Sequence, residues 1–363
     1  MVARLTLAQL VGVRVPVPQF FCDLKIGVLG CYTLLGEQEM EIDRRQFIRN
    51  SAMAAGAALL SSKGANAMSR SANKNELTNK IPQRVLGKTG QKVSILGFGG
   101  IVVMDAEPEH AGKVVAEAVE KGINYFDVAP SYGDAEIKLG PALKPYRKNC
   151  FLACKTTRRD KAGAKEELDQ SLKNLKTDYF DLYQLHALTD IEKDVKAALG
   201  KDGAIQTFIE ARKAGVIRHL GFSAHSAEAA LLAMNEFDFD TILYPINFCM
   251  HYKGNFDKEV LVEAKKRDMG ILALKSMARQ KWHEEDKKKQ YPKCWYEPIT
   301  EPEFARKALA WTFQQGANAI LPPGDEKLFR IAMDIGPGLA DIKDISNEEL
   351  ETLSKNLDPL FTA

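Results

Sequence analysis

The stretch INYFDVAPSYG, residues 123–133, contains a short apolar run that ends on a carboxylate, Asp127, and leads into a loop with Tyr132. The run predicts a β-strand, because it is short, apolar and rich in aromatic and branched side chains. The segments on either side, 109–121 and 135–143, have apolar residues at helical spacing. An apolar strand between amphipathic helices is the repeating unit of α/β folds with a parallel sheet.

This unit recurs along the chain. The predicted strands are residues 95–98, 123–128, 150–155, 179–186, 216–222, 241–246, 271–274 and 319–321. The predicted helices are residues 109–121, 135–143, 165–175, 204–213, 227–234, 258–267, 302–314 and 326–333. Strict alternation favours a parallel sheet with crossover helices, and eight units predict a (β/α)₈ TIM barrel. A doubly wound open sheet is the alternative, but residues 97–100 lack the GxGxxG spacing of its phosphate loop.

Three further segments belong to the predicted domain. A β-hairpin around the turn-like residues 87–90 precedes the barrel, and an extra helix at residues 346–357, with Ser346 as N-cap and Glu349 as capping-box partner, follows it. The charged and aromatic segment 279–298 follows the seventh strand and is predicted to stand over the catalytic face. Seven further residues could either line the substrate pocket or serve only in ordinary packing or at the surface: Met104, His225, Cys249, His251, Trp282, His283 and Trp295.

The N-terminal region has the features of an export signal. Arg44 and Arg45 precede an uncharged run at residues 52–60, which is shorter than the about 20 apolar residues that span a bilayer. Ala65-Asn66-Ala67 provides a small-x-small cleavage pattern. Together these features resemble a twin-arginine signal that is cleaved after Ala67. A leader that holds two arginines by chance is the alternative.

The domain boundaries follow from this signal. Residues 1–67 are assigned to a leader and signal peptide, in which a start at Met40 would leave a conventional signal length. Residues 68–83 are a linker and residues 84–363 the barrel. We expect a periplasmic or otherwise exported protein that uses the twin-arginine export machinery and has no stable membrane insertion after cleavage. That route carries folded proteins, so a cofactor could be loaded before export.

Composition limits the partners. The chain has 363 residues, of which 45% are hydrophobic and 27% charged, and a formal net charge of +2. This balance gives no reason to expect nucleic acid as a partner. The six cysteines form no CxxC pair and no set of metal-ligand spacings. We therefore expect buried thiols and no metal site.

Four ionisable residues fall at the C-terminal ends of predicted strands or in the loop that follows, where TIM barrels have their active sites. They are Asp127, Tyr132, Lys155 and His186. A charged residue that ends an apolar strand is costly unless paired, so Asp127 is expected to hold Lys155 charged. The ammonium would lower the pKa of Tyr132, which would act as a general acid toward an alkoxide. His186 would orient the carbonyl oxygen.

The motifs around these residues carry a family resemblance. Four segments resemble, in order, the Asp–Tyr signature, the lysine strand, the histidine strand and the fifth strand of aldo-keto reductases: residues 124–133 (NYFDVAPSYG), 154–156 (CKT), 178–186 (DYFDLYQLH) and 221–226 (GFSAHS). The resemblance implies an NAD(P)H-dependent oxidoreductase that reduces an aldehyde or ketone to an alcohol. Some members have C-terminal cysteine clusters for iron–sulfur centres, but no cysteine follows Cys294 here.

The resemblance also implies nicotinamide-nucleotide contacts without a Rossmann fold. The residues expected to bind the cofactor are Ser223, Asn247, Lys275, Ser276, Pro323, Gly324, Asp325 and Arg330. The N-terminus of the last barrel helix would favour phosphate. Arg330 lies where members often hold an adenosine 2′-phosphate, which favours NADP(H) over NAD(H); a solvated surface arginine is the alternative. Ala224 and Leu274 replace a frequent asparagine and a frequent aromatic residue, so one amide contact is lost and stacking on the nicotinamide is weaker or comes from elsewhere.

Two other functions are open on the sequence alone. A nucleotide-binding redox-sensing or regulatory subunit could use the same barrel, although intact Tyr132 and Lys155 favour catalysis. A non-redox lyase or isomerase is the third hypothesis, and it would have no nucleotide affinity. Because a periplasm offers little free NADPH, an exported reductase is expected to keep its nucleotide tightly bound and to recycle it on the protein.

Overall fold

A computed structural model describes residues 79–283, 289–341 and 346–363. The predicted leader, the linker up to residue 78, and two of the cysteines, Cys22 and Cys31, lie outside the described residues. Within the described part of the chain, no helix has both the length and the apolar character needed to cross a membrane.

A β-hairpin precedes the barrel, as predicted. Its strands β1 (Gln83–Val85) and β2 (Lys92–Ser94) pair antiparallel around a 3₁₀ turn at Gly87–Thr89. Gly90 follows this turn with φ of 67°, a left-handed conformation that glycine adopts without the penalty of a Cβ.

Eight parallel strands then form the barrel in chain order. They are β3 (Phe98–Gly99), β4 (Tyr125–Asp127), β5 (Phe151–Thr156), β6 (Phe180–Leu188), β7 (Ile217–Ala224), β8 (Thr241–Pro245), β9 (Gly270–Leu274) and, after the hairpin of β10 (Ala278–Gln280) and β11 (Glu297–Pro298), β12 (Ala319–Leu321). Leu96 forms a parallel bridge with Ile320 of β12, and the Gly97 amide donates to the Ile320 carbonyl over 2.8 Å. These contacts join the first strand to the last and confirm the predicted (β/α)₈ barrel.

Helices connect the strands and cover the outside of the sheet. They are α1 (Pro108–Glu120), α2 (Ala135–Leu143), α3 (Lys161–Leu175), α4 (Ala204–Lys213), α5 (Ala227–Glu236), α6 (Phe248–Tyr252), α7 (Lys258–Lys266), α8 (Pro302–Gln314), α9 (Glu326–Ile335) and α10 (Asn347–Ser354). A π-helix at Ile191–Lys196 continues into a single α-helical turn at Ala197–Leu199. Further 3₁₀ segments are Gly100–Val103, Arg147–Asn149 and Gly336–Asp341.

Two apolar layers hold these elements together. On β6, Leu182 belongs to the cluster inside the barrel, whereas Tyr183 and Leu185 belong to the cluster between sheet and helices. The two-residue period of a strand sends alternate side chains to these two layers. Strands that are buried on both faces have continuous apolar runs, which explains why they were predictable from the sequence.

Helix boundaries differ from the predictions where a cap decides them. α3 begins at Lys161 rather than at residue 165, because the Asp160 carboxylate accepts a hydrogen bond from the Gly163 amide at 2.8 Å. The π-helix and α6 were not predicted, since five or six residues carry too little periodicity to reveal a helix.

The final helix confirms one half of its predicted capping box. The Ser346 hydroxyl accepts a hydrogen bond from the Glu349 amide at 3.1 Å. The Glu349 carboxylate does not return this bond, because it pairs with Lys307 at 2.6 Å. α10 ends at Ser354, earlier than the predicted residue 357. The pairing with Lys307 of α8 ties this helix to the barrel.

Four cysteines lie within the described residues: Cys150, Cys154, Cys249 and Cys294. All four are free and buried, which confirms the expectation of buried thiols for them. Burial raises the pKa of the Cys150 thiol to about 11 and that of Cys294 to about 12. These thiols therefore stay protonated at neutral pH.

Candidate active site

A cavity of about 270 Å³ opens at the C-terminal ends of the barrel strands. Its volume is near the lower end of the roughly 300–1,000 Å³ of small-molecule pockets. The residues that line it are Gly99, Ile101, Asp127, Tyr132, His186, Ser223, His225, Leu243, Leu274, Lys275, Lys293, Trp295, Tyr296, Leu321, Pro322, Pro323 and Gly324. Three of the four predicted catalytic residues are among them, and the fourth lies directly behind.

The fourth residue, Lys155, is fully buried at the end of β5 and pairs with Asp127 at the end of β4. Its amine also donates to the Val128 carbonyl over 3.2 Å. The second carboxylate oxygen of Asp127 accepts hydrogen bonds from the Tyr125 hydroxyl at 3.2 Å and from the Gln184 amide at 3.1 Å. The predicted ion pair is thus present on one carboxylate oxygen, and two neutral donors satisfy the other.

Burial lowers the pKa of Lys155, but the charges of Asp127 and Tyr132 and the hydrogen bond to Asp127 outweigh it, so the net pKa lies above the usual lysine value. The lysine is therefore charged at neutral pH. Its amine lies 5.0 Å from the centre of the Tyr132 ring. This distance brings the predicted acid and the predicted cation into direct electrostatic contact.

The prediction that Tyr132 has a lowered pKa is wrong for this structure. Burial raises the pKa of Tyr132, the charge of Lys155 lowers it, and the charge of Asp127 raises it again, with a net result above the ordinary value. The aspartate that holds the lysine cancels part of its effect on the phenol. The hydroxyl is therefore protonated at neutral pH, which is the state that a proton donor requires.

His186 follows on β6 and faces the same cavity. Its ring is perpendicular to that of Tyr132, at 84° with centroids 5.6 Å apart, and its Nδ1 lies 3.3 Å from the Ser131 hydroxyl. Burial lowers the pKa of His186 to about 3, with smaller effects from Lys155, His225 and Arg159. The imidazole is therefore neutral at physiological pH and can act as a hydrogen-bond partner for a substrate oxygen.

The opposite wall of the cavity contains a second lysine, Lys275, at the end of β9. Its backbone is left-handed, with φ of 66°, a conformation that costs a residue with a side chain energy. The amine lies 5.0 Å from the Trp295 ring centre and 4.9 Å from that of Tyr296. Burial lowers the pKa of Lys275 to about 8. Within residues 79–283, 289–341 and 346–363 it has no carboxylate partner.

The predicted cofactor residues divide into two groups. Ser223, Lys275, Pro323 and Gly324 line the cavity. Asn247, Ser276 and Asp325 instead complete hydrogen bonds of the fold: Asn247 caps α6, the Ser276 hydroxyl donates to the Ile246 carbonyl at 3.1 Å, and Asp325 caps α9. The Asp325 carboxylate already accepts from the first amides of α9, where phosphate binding was predicted.

Arg330, which was predicted to bind a 2′-phosphate, lies on α9 in two ion pairs. Its guanidinium contacts Glu326 at 3.0 Å and also pairs with Glu117 of α1. Two carboxylates thus surround one cation, and His110 adds a hydrogen bond to Glu326 at 2.7 Å. An incoming phosphate would have to compete with both glutamates for the same donors.

Of the loop residues predicted as possible pocket residues, some line the cavity and others form contacts elsewhere in the fold. His225, Trp295 and the unpredicted Lys293 line the cavity, and segment 279–298 therefore reaches its mouth where it was predicted. Leu274 contributes an aliphatic wall in place of the frequent aromatic residue. His251 pairs with Asp257 at 2.8 Å behind β8, and His283 faces Asp358 at 3.4 Å. The indole of Trp282 donates to the Cys294 carbonyl at 2.9 Å.

Sequence reasoning missed two residues of the inner site, Tyr125 and Gln184. Both lie two positions before a predicted catalytic residue, Asp127 and His186, and therefore face the same interior of the barrel. The sequence did contain a signal for both residues. Each is a polar side chain at an inward position of an apolar strand, and a buried polar group requires a hydrogen-bond partner.

A barrel whose mouth holds a buried lysine–aspartate pair, a protonated phenol and a neutral imidazole has the features of an enzyme site built for proton transfer. The family model described as aldo/keto reductase family matches residues 96–302, more than half of the chain. The chain belongs to the aldo/keto reductase family.

Individual relatives are more distant. The uncharacterized oxidoreductase YqkF of Bacillus subtilis is 36% identical over 156 residues, which are 39% of this chain and 48% of that protein. L-galactose dehydrogenase of Arabidopsis thaliana is 27% identical over 216 residues, 55% of this chain and 66% of that protein. The chain thus matches about half to two thirds of the length of these curated relatives. The holo form of the aldo-keto reductase AKR11C1 from Bacillus halodurans has the same fold, with a TM-score of 0.57, 21% identity and coverage of 78% of this chain and 98% of that one.

Proposed function

We propose that the protein is an oxidoreductase that reduces an aldehyde or ketone to an alcohol at the expense of a nicotinamide nucleotide. The observation that carries the proposal is the contact of the protonated Tyr132 phenol with the charged Lys155, which Asp127 holds behind the cavity wall. Membership of the aldo/keto reductase family supports the same reaction class.

The nucleotide, when bound, supplies the hydride that reaches the carbonyl carbon. The residues of the chain handle the proton. Tyr132 gives its hydroxyl proton to the substrate oxygen, and Lys155 stabilises the phenolate that remains. Asp127 keeps the ammonium in place, and the neutral His186 offers a ring nitrogen to the same oxygen.

Lys275 and Ser223 are the side chains best suited to hold the nucleotide. The partly buried ammonium of Lys275 has aromatic rings but no carboxylate around it within the described residues, so an anionic phosphate would supply the missing countercharge. Pro323 and Gly324 bring backbone groups to the same wall. Preference for NADP(H) depends on Arg330, whose guanidinium already has two carboxylate partners, so the proposal extends to either nucleotide.

The cellular setting belongs to the same proposal. Export by the twin-arginine machinery would carry a folded protein with its nucleotide already bound, and hydride exchange on the protein would spare a periplasmic supply of NADPH. Periplasmic protein purified with less than stoichiometric nucleotide and with micromolar or weaker affinity would contradict this part.

The test is a panel of aldehydes and ketones with NADPH and NADH, run on the wild type beside Tyr132→Phe and a control, Tyr146→Phe, a tyrosine that packs against the outer core. We expect Tyr132→Phe to lose turnover while nucleotide affinity is retained, and Tyr146→Phe to behave as the wild type. Nucleotide binding without turnover by the wild type would favour a redox-sensing or regulatory subunit. Absence of nucleotide affinity would favour a non-redox barrel enzyme.

A further inference from the structure

β6 contains one extra residue next to the candidate active site. Between Leu185 and Leu188 the pairing with β7 shifts, so that β6 advances three residues while β7 advances two. Ala187 is the inserted residue, with φ of 55° in the left-handed region. Such bulges bend a strand and redirect a side chain. Here His186 is the residue that directly precedes the bulged Ala187, so the bulge fixes the peptide that follows it.

The bulge leaves two backbone groups, the His186 carbonyl and the Ala187 amide, without partners in the strand ladder. Side chains form hydrogen bonds with both of them. Arg159 donates from Nη2 to the His186 carbonyl over 2.7 Å. The Ser223 hydroxyl accepts from the Ala187 amide over 2.7 Å. The peptide between His186 and Ala187 is therefore held from both ends, and the left-handed residue persists because its surroundings fix it.

Arg159 is itself fixed by Asp194, in the π-helix Ile191–Lys196. The guanidinium Nε lies 2.9 Å from Oδ1, and the side chains are only 17% and 18% exposed. The second oxygen of Asp194 accepts from the amides of Thr189 at 2.8 Å and Asp190 at 2.9 Å. Burial raises the pKa of Asp194, but these hydrogen bonds and that of Arg159 lower it to about 2, so the carboxylate stays charged.

We propose that Arg159, held by Asp194, is a positioning residue that aims the His186 imidazole into the cavity through the His186 carbonyl. The inference rests on the proposed reductase function, in which His186 orients the carbonyl oxygen of the substrate. Without the guanidinium, this carbonyl loses its donor and the bulged peptide can relax. The imidazole then loses its fixed direction. Among the proposed nucleotide contacts, those around Lys275 are unchanged, and only the Ser223 hydroxyl, which accepts from the Ala187 amide, is bonded to the relaxed peptide.

The matched pair for the test is Arg159→Met and Arg158→Met in the full chain. Arg158 is the adjacent residue and pairs with Glu167 at 3.3 Å, but its side chain is 60% exposed. Outer-layer partners of functional groups typically contribute about 10–100-fold to activity, and a misplacement of about 1 Å can cost about 100-fold. We expect Arg159→Met to lose kcat in this range, and Arg158→Met to keep the wild-type kcat.

Rates are expressed per active site, as titrated by nucleotide binding, so that loss of folded protein does not count as loss of kcat. Nucleotide Kd is expected to stay within about threefold of the wild type, and Arg159→Lys, which keeps the charge and one donor, to recover part of kcat. A kcat per site in Arg159→Met within about twofold of the wild type would overturn the proposal, since a positioning role demands about tenfold or more.

A second readout does not depend on activity. The chain has six histidines, and their ring signals can be resolved by NMR of labelled protein, with His186 assigned by its absence in His186→Gln. We expect Arg159→Met to shift the His186 ring signal and Arg158→Met to leave it in place. An unmoved signal in Arg159→Met overturns the proposal. If Arg159→Met does not fold, Asp194→Asn replaces it, with the same shift expected.

These readouts separate two kinds of failure. A wild type that reduces no carbonyl in the presence of nucleotide would end the proposed function, and the NMR comparison would still decide whether Arg159 positions His186. An active wild type with normal turnover in Arg159→Met would end the positioning role alone.

Discussion

Each wall of the cavity contains a lysine, and the surroundings of the two lysines are opposite in kind. On one wall, Lys155 is fully buried, pairs with Asp127, and has a pKa above the usual value. On the other wall, the Lys275 amine lies beside two aromatic rings with no carboxylate partner in the described residues, and burial lowers its pKa to about 8. Lys155 has its countercharge within the described residues, and Lys275 does not.

We propose that this difference has a functional meaning: the charge of Lys155 is balanced within the folded chain, whereas the charge of Lys275 is balanced only when a ligand binds. A buried charge without a partner costs folding free energy, and an anion that binds it recovers that cost. The aromatic faces of Trp295 and Tyr296 stabilise the Lys275 ammonium only in part. We therefore propose that the Lys155 wall delivers the proton and that the Lys275 wall binds an anion, and the predictions below test that division.

The largest effect is expected from Lys155→Met. Removal of general acid support costs about 10²–10⁴-fold in kcat. Because Asp127 would stay buried without its partner, the free energy of unfolding should also fall by about 3–5 kcal/mol. Steady-state turnover and urea unfolding measure the two effects, and Lys148→Met, at an exposed lysine, is the control. A variant with full stability would mean that Asp127 and Lys155 are not a coupled buried pair.

Lys275→Met should weaken nucleotide binding without lowering the stability of the protein, in contrast to Lys155→Met. A charge-assisted hydrogen bond to a phosphate contributes about 1.5–3 kcal/mol, so nucleotide Kd should rise about 10- to 100-fold. Stability without nucleotide should be unchanged or higher, because the variant removes a partly buried charge that has no carboxylate partner among the described residues. Fluorescence titration and urea unfolding check both. If Lys155→Met weakens nucleotide binding as much as Lys275→Met does, the division between the walls is wrong.

The sequence was sufficient for the barrel and for the Asp127–Lys155 pair, for the same physical reason. Strands buried on both faces produce continuous apolar runs, and a charge at the end of such a run stands out. The α2, α4 and α8 boundaries coincide with their predictions. Asp127 and Lys155 could be paired in advance because neighbouring parallel strands end at the same mouth.

The other wall could not be derived in this way. Lys275 was predicted only through family resemblance, and its aromatic neighbours come from a loop whose path no periodicity encodes. Asn247 and Asp325 were predicted as ligands but cap helices, since the same amides and carboxylates serve both purposes. The lowered pKa predicted for Tyr132 was wrong because burial depth, which exceeds the effect of Lys155, is a property of the packed structure.

Each wall also contains a histidine, and both should make the protein acid-sensitive. Burial, then Lys155, lowers the pKa of His186 to about 3, and burial, then Lys275, lowers that of His225 to about 4. Between the unfolded value of 6.5 and these folded values, the unfolded chain binds more protons. Stability is therefore fully present above about pH 6.5 and is lost as pH falls, by about 1.4 kcal/mol per pH unit for each histidine.

Urea unfolding at about pH 7 and about pH 5 measures this dependence. His225→Gln should reduce the pH-dependent loss by about 2 kcal/mol over the interval from 6.5 to 5, whereas His283→Gln, at a half-exposed histidine, should not. An unchanged slope in His225→Gln would mean that His225 is protonated in the folded protein, and so that the Lys275 wall is more open to solvent than the structure shows.

The smallest effect is expected at the edge of the nucleotide wall, from Arg330→Met. Its guanidinium is 39% exposed and held by Glu326 and Glu117, so the variant should change the ratio of NADPH to NADH affinity by less than about threefold, in the range of an exposed ion pair of 0–1 kcal/mol. Glu117→Gln is the complementary variant. It removes one carboxylate from the Arg330 guanidinium, so it should improve the binding of NADPH but not that of NADH. If Arg330→Met instead loses NADPH affinity about tenfold with NADH unaffected, the 2′-phosphate outcompetes both glutamates. The anion-binding wall would then extend from Lys275 to α9, and the NADP(H) preference expected from the sequence would hold.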